Sequence, residues 1–520
     1  MTKTVTPQEV RLALIARREI ALIDLREEDP YARGHPLFAV QLSLSRLELD
    51  APWRLPRKGT PIVVYDDGEG LTERGAERLA GLGYSDVAVL DGGLASWRDL
   101  CFEVFIDVNS ASKAFGELVE ARRHTPSVPA PEALKLIENE PNLVVLDARR
   151  FEEFNTMSIP RGVSTPGAEL VLRARAMAPD PSTTIIVNCA GRTRSIIGAQ
   201  SLINAGLPNK VMALRNGTIG WSLAGQTLEH GKTARFATGD AAVEAEAREQ
   251  ARAVSYRAGV KHITPDGLAA LANDRGRTLY RYDVRTPEEY AAGHIPGFRS
   301  APGGQLVQET DVFCAVRGAR VVLADDKGSR ADMTASWLAQ MGWEVYVLDG
   351  GFGGTLETGE GPSGVAAPKT ATITVEALEA VLREVTVVDF AANPRFKRGH
   401  IPGAWFAIRA QLSKALTSLP KGDLVLTSPD GVLAAFAAVD VEALTGRAPR
   451  VLAGGTTAWV AAGKAVETGL TQAANAPTDV YRRPYEGSDN PREAMQAYLD
   501  WEYGLVEQLE RDGTHGFYVI

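Results

Sequence analysis

Cys189 heads the segment CAGRTRS, residues 189–195, which follows the apolar run Thr184 to Val187 and precedes a stretch of helical character from Ile196. A thiol at a strand-to-helix turn meets the N–H groups of a tight loop and the positive end of a helix dipole, and here the guanidinium groups of Arg192 and Arg194 stand close by in sequence. All three favour a thiolate, so the spacing predicts a nucleophile of lowered pKa inside an anion-binding loop. The backbone N–H groups of Ala190, Gly191, Arg192, Thr193, Arg194 and Ser195 are the candidate anion donors, and Gly191 is expected to permit the turn. The alternative, an inert buried cysteine, is what the glycine and the arginine pair argue against. The chain has two other cysteines, Cys101 and Cys314, which lie among apolar neighbours without clustered bases and read as packing residues. Three cysteines without a CxxC pair suggest neither a disulfide framework nor a metal cluster.

The elements that would position Cys189 recur along the chain. An apolar strand ending in Asp is read at Asp24, Asp147, Asp283 and Asp389, each after a short helix whose start reads VTPQEV, VPAPEAL, ITPDGL or TITVEAL. In the first of these, Thr6, Pro7 and Glu9 fit a capping box. A Gly/Pro-punctuated loop follows each Asp, then a second apolar strand running into a turn (PIVVYDDGEG, TIIVNCAGRTRS, RVVLADDKGSR, DLVLTSPDGV) and a helix stopping at Gly83, Gly206, Gly342 or Gly446. A last strand leads into a glycine turn: VAVLDGGLASW, VMALRNGTIGW, VYVLDGGFGG and RVLAGGTTAW. Short β-branched strands alternating with helical segments imply βα units around a parallel sheet with helices on both faces.

The repeat divides the 520 residues, a length that suits about three to four domains. The expected units are residues 1–123, 124–239, 257–366 and 367–472, with 240–256 a linker helix bearing a solvated charged face and 473–520 a polar tail. Boundaries fall at His124 to Pro131, at the Ala/Glu/Arg-rich stretch Asp240 to Ala253, and at Gly359 to Thr370. The segment Pro491 to Leu509 reads as one amphipathic helix offering Met495, Tyr498, Leu499, Tyr503 and Leu505 to another domain or a second subunit.

A net charge of -9 argues against a nucleic-acid surface or a basic membrane patch, so an anionic ligand needs a local basic site. No window approaches the roughly 18 apolar residues of a membrane span, and MTKTVTPQEVRLAL has no signal-peptide core. The expected location is cytoplasmic.

Together, the Asp-ending strand, the motif EEYAAGHIPG at Glu288 to Gly297, the loop CAGRTRS and the VLDGG turn resemble the rhodanese (thiosulfate sulfurtransferase) family. The resemblance implies an α/β fold of four tandem rhodanese-like domains, each a doubly wound parallel sheet flanked by helices, plus a C-terminal helical tail. It places the cysteine loop at the carboxyl end of a central strand, where open α/β sheets bind ligands. It also implies a double displacement: Cys189 takes the outer sulfur of thiosulfate as a persulfide and passes it to cyanide or a thiol, with Arg192 and Arg194 binding the donor and no metal or organic cofactor.

The four loops are unequal, because Asp66, Asp325 and Ser428 stand where Cys189 stands in the second repeat. None of these can carry sulfane sulfur, so one catalytic domain with three inactive relatives is expected. Lys327 and Arg330 compensate the charge in the third loop without supplying a thiol. A Cys-x5-Arg phosphatase loop would need Arg at the position of Ser195, which disfavours that chemistry, and a 3-mercaptopyruvate donor is disfavoured by the arginine pair. A binding scaffold in sulfur metabolism stays open as the reading of a different class, as does a homodimer. In the second repeat Met157 and Ser158 replace the Gly-His pair of Gly293-His294 and Gly399-His400, which puts the shape of that loop in question. Three supporting residues complete the candidate site: Asp147 as a strand-end cap, Arg149 as its partner, and Glu169 either reaching the pocket or solvated at a helix start.

Overall fold

The computed structural model describes residues 3–361 and 365–520; residues 362–364, within the boundary segment Gly359 to Thr370, lie outside the described residues. Four five-stranded sheets follow one another along the chain. With strands numbered within each sheet, every one has the order 1-5-4-2-3, and all ladder pairs are parallel. The fourth strands are Ile62–Tyr65, Thr184–Asn188, Arg320–Ala324 and Leu424–Thr427. Each sits centrally between the second and fifth strands and is buried on both faces, as its β-branched composition requires. Asp66, Cys189, Asp325 and Ser428 are the residues that immediately follow them.

Local signals act as the sequence predicts. Thr6 and Glu9 form both bonds of a capping box, and Thr264 and Thr374 cap the corresponding helices of the third and fourth units. Trp97, Trp221 and Trp459 are buried after the last strand of their units, and each indole N–H donates to a carbonyl six residues on, at Glu103, Thr227 and Ala465. The loop carrying Met157 and Ser158 keeps its shape. Ser158 pairs with Glu229 as His35 pairs with Phe105, His294 with Glu357 and His400 with Glu467, so the backbone bridge and not the imidazole defines this turn.

The units pack through buried ion pairs. Arg409 of the fourth is held by Glu48 of the first at 2.7 and 2.9 Å, and Arg330 of the third donates to Glu169 of the second at 2.8 Å. The linker helix, Ala241–Arg257, is capped by Asp240 and buries Ala247, Ala251 and Val254 against the second and third units. The tail forms two helices, Arg492–Tyr503 and Leu505–Asp512, where one continuous helix was expected; the break falls at Gly504. Both dock within the chain on the helix Ser110–Arg123 of the first unit. The tail's aromatic face therefore gives no argument for a second subunit. Beyond them, the Tyr518 N–H and the Ile520 N–H both donate to Gln340 of the third unit.

Candidate active site

Cys189 leaves the end of strand Thr184–Asn188, and the helix Thr193–Asn204 begins inside its loop. The Asn216-Gly217 turn clamps the loop from below: the Thr218 N–H donates to Cys189 O at 2.9 Å and the Ile219 N–H to Ala190 O at 3.0 Å. Gly217, at φ +52°, passes so close that a Cβ there would lie 2.3 Å from Cys189 O. This contact explains the glycine turn read in the sequence.

The loop's N–H groups distinguish the second unit. Among the described residues, no oxygen accepts from the backbone N–H groups of Ala190 through Ser195. In the first unit the Asp66 carboxylate accepts from the N–H groups of Gly68 and Leu71, and in the third Asp325 accepts from those of Lys327, Arg330 and Ala331. Each aspartate fills its own anion cradle. Ser428 accepts from the Ala434 N–H at 3.2 Å. Among the described residues, the cysteine loop is thus the one in which no side-chain oxygen of the loop itself takes its N–H groups, leaving them to an oxyanion.

The candidate residues separate into distinct roles. Arg194 makes two 2.8 Å bonds to Glu153 and its charge acts on Cys189. Burial pushes the Glu153 carboxyl up, but the Arg194 charge and hydrogen bonds outweigh it, with help from Arg149 and Arg150, and hold it at about 2. Arg192, expected to bind the donor, is committed elsewhere: Nε and Nη2 donate to Glu117 of the first unit, Nη2 also to Glu120, and Nη1 to Asn216. Thr193 is buried against Gly116 of the same helix as Glu117, and its Oγ1 has no partner. Ser195 Oγ donates to Arg192 O at 2.8 Å, tightening the helix start.

Asp147 and Arg149 pair with each other, as their spacing suggests. They form a buried bidentate pair at 2.9 and 2.7 Å, Asn188 Nδ2 donates to Asp147, and Arg149 donates on to Met157 O. The same lock joins Asp24 with Arg26 and Asp283 with Arg285. Glu169 neither reaches the cysteine pocket nor faces solvent: it is buried between Arg173 and Arg330. Lys327 and Arg330 of the third loop are likewise engaged, with Glu244 and with four carboxylates respectively. Cys314 is buried as expected, whereas Cys101 is exposed at φ +55° in the turn after a helix, so its reading as a packing residue does not hold.

Two further expectations are corrected by the tail. Cys189 is only 1% exposed, and burial pushes its thiol up; Arg194 and the Ser195 hydrogen bonds oppose this, and Glu502 adds to it. The desolvation cost of a buried thiolate outweighs the nearby cation, a balance that loop spacing cannot reveal. Gly191 does not adopt a positive φ. A Cβ on it would meet Tyr498 Cε1 at 3.1 Å and Glu502 Oε2 at 3.3 Å, so the position admits the tail helix and is not needed for the turn.

Sequence reasoning gave Tyr498 to packing and missed Glu502. The tail is anchored by Lys113, paired with Asp107 at 2.9 Å and surrounded at 5.0–5.4 Å by the rings of Tyr485, Tyr498 and Trp501. Such desolvated cation–π contacts contribute up to about 2 kcal/mol each. The aromatic density of the tail was the available signal; its target, a lysine nearly 400 positions earlier, had none.

The Rhodanese-like domain family matches residues 6–100, 130–224 and 264–357, more than half of the chain. The crystal structure of a thiosulfate sulfurtransferase from Pseudomonas aeruginosa is similar over 100% of both chains, with 58% identity and a TM-score of 0.98. Thiosulfate sulfurtransferase GlpE of Pseudomonas paraeruginosa is 30% identical over 93 residues, which cover 18% of this chain and 80% of the relative. The uncharacterized protein YibN of Escherichia coli K12 is 28% identical over 85 residues, 16% of this chain, and the match spans 59% of YibN. Among the described residues, no helix is long and apolar enough to cross a membrane.

Proposed function

The chain belongs to the rhodanese family, and we propose that it is a thiosulfate sulfurtransferase working through a persulfide on Cys189. The observation that carries this reading is that, of four equivalent loops, the one with a thiol is also the one in which, among the described residues, no oxygen accepts from the backbone N–H groups of the six residues after it. The Cys189 thiolate attacks the outer sulfur of thiosulfate. A new S–S bond forms, the donor's S–S bond breaks, and sulfite leaves with the bonding pair. Cyanide or a thiolate then attacks the outer sulfur of the persulfide and regenerates the Cys189 thiolate.

Arg194 supplies the positive charge for the donor, and the N–H groups from Ala190 to Ser195 hold its oxygens and the persulfide. Arg192 holds the loop against the first unit. No step calls for a metal or organic cofactor. The cytoplasm is the compartment in which such a lone thiol stays reduced between turnovers. The three sister units serve as its structural support, with the first as the hub.

Purified protein given thiosulfate and cyanide is expected to form thiocyanate, and Cys189→Ser to abolish this with the fold intact. Activity surviving that substitution would remove Cys189 as the nucleophile. Absence of a sulfur adduct by intact mass after thiosulfate treatment would favour a binding scaffold.

A further inference from the structure

Glu502 is 0% exposed, 313 positions beyond Cys189, yet it sits on the cysteine loop. Its Oε1 accepts a 2.7 Å hydrogen bond from Tyr498 Oη, while Oε2 has no partner and lies over Gly191. A buried carboxyl oxygen without a partner is costly and calls for a function. The loop beneath it presents N–H groups that likewise have no oxygen acceptor. In the first and third units, a carboxylate in the equivalent loop takes such N–H groups for itself.

We propose that Glu502 is a donor-site residue: un-ionised, it leaves the loop's N–H groups to the anionic donor, and ionised, it competes for them as Asp66 and Asp325 do within their own loops. The inference rests on the thiosulfate reading above and adds to it a specificity-determining group supplied by the C-terminal helix. Cys189 and Gly191 are buried, and Tyr498 and Glu502 lie over Gly191, so an oxyanion taken up by this loop lies beside the carboxyl.

The charged and titratable groups facing Glu502 are Glu117 and Lys113 on the helix of the first unit, Arg192 and Cys189 in the loop, and Tyr498 on its own helix; Glu120 and Asp107 stand behind, paired to Arg192 and Lys113. Burial, then the Glu117 charge, pushes the Glu502 carboxyl up to about 8, and the opposing effects of Lys113, Tyr498 and Arg192 do not restore it. The switch therefore falls within the range where sulfur transfer can be assayed.

The test measures the rate of sulfur gain on Cys189 from thiosulfate, by quenched intact mass, between pH 7 and pH 9 in the wild type and in Glu502→Gln. The ratio of the wild-type rate to that of the variant is expected to fall about ten-fold over this interval at sub-saturating thiosulfate, as a group titrating near 8 ionises. The loss should lie in KM for thiosulfate, with kcat parallel in the two proteins, whereas a purely structural role would lower both rates alike at every pH. Tyr498→Phe removes a hydrogen bond that favours the ionised carboxyl, so it should move the falling limb to higher pH. A flat ratio overturns the inference; if Glu502→Gln does not fold, an unmoved limb in Tyr498→Phe overturns it instead. A wild type that gains no sulfur at any pH removes the thiosulfate reading and this inference with it, whereas a wild type that gains sulfur with a flat ratio removes the inference alone.

Discussion

Arg192 stands three positions after Cys189 but gives its guanidinium to Glu117, a residue of the preceding unit, with Nε and Nη2 each 2.8 Å from a carboxylate oxygen. The basic loop of the second unit is thereby bolted to the closing helix of the first, and the Tyr503 ring lies 4.1 Å from the guanidinium on the tail side. Of the two arginines, this one is tied to the first unit, and Arg194, paired with Glu153 of its own unit, is the one whose charge acts on Cys189.

Both members of the Arg192–Glu117 pair are nearly inaccessible, at 3% and 4% side-chain exposure. Removing one charge strands the other, which costs about 3–5 kcal/mol for a buried pair, whereas replacing both costs much less. Arg192→Gln is therefore expected to lower the denaturation midpoint more than the double change with Glu117→Gln does. Arg194→Gln should instead reduce the persulfidation rate. Equal kinetic losses from the two arginine variants would contradict this division.

Gly191→Ala places a methyl group against Tyr498 and Glu502 at 3.1 and 3.3 Å, and the helix Arg492–Tyr503 must lift by a few tenths of an ångström or more. In the native wild-type protein a maleimide should label the exposed Cys101 first, with Cys189 and Cys314 protected. Gly191→Ala should accelerate labelling of Cys189 without changing Cys314. Peptide mapping of the labelled protein reads all three sites.

A thiol alone is not expected to make a sister loop active. Asp66→Cys vacates a cradle flanked by Asp67 and Glu69, with Leu71 where Arg194 stands in the second unit. Asp325→Cys leaves Arg330 nearby, but Glu169, Glu289 and Asp326 still bind it. In a Cys189→Ser background, neither variant is expected to gain sulfur from thiosulfate by intact mass.

Two carboxyls near the site respond to pH with opposite sign. Glu153, held at about 2 by Arg194, adds stability that is present above its unfolded value near 4.5 and is lost as pH falls toward 2. Glu502, raised to about 8, favours the docked tail fully below about 4.5, and that contribution is lost as pH rises through 8. Glu153→Gln should therefore narrow the stability difference from wild type on acidification. Limited proteolysis of the tail should quicken as pH rises from about 4.5 to 8 in the wild type, and Glu502→Gln should suppress that dependence.

Much of the architecture is legible in the sequence because its causes are local. Runs such as TIIV and the Asp that ends each second strand set strand positions, Thr6, Thr264 and Thr374 set helix starts, and the glycine turn is required where Gly217 crosses Cys189 O. The pairing of Asp147 with Arg149 is equally local, spanning two residues. Comparison of the four repeats also singles out Cys189, since the strand preceding it fixes which residue occupies the same place in each unit.

Only the tertiary structure decided the surroundings of that thiol. The partner of Arg192 lies 75 positions earlier, the partner of Glu169 161 positions later, and the cover over Gly191 comes from the far end of the chain. Spacing in sequence carries no information about such contacts, and burial reverses the electrostatics that spacing suggests: an exposed cysteine beside two arginines would ionise readily, whereas Cys189, desolvated beneath Tyr498 and Glu502, is pushed up. The sequence by itself determined which thiol is the candidate nucleophile and the strand-end loop that presents it. The packing of the first unit and the tail against that loop decided how far its thiol is desolvated and which carboxylate holds Arg192, because solvation and ion pairing depend on what surrounds a group in space.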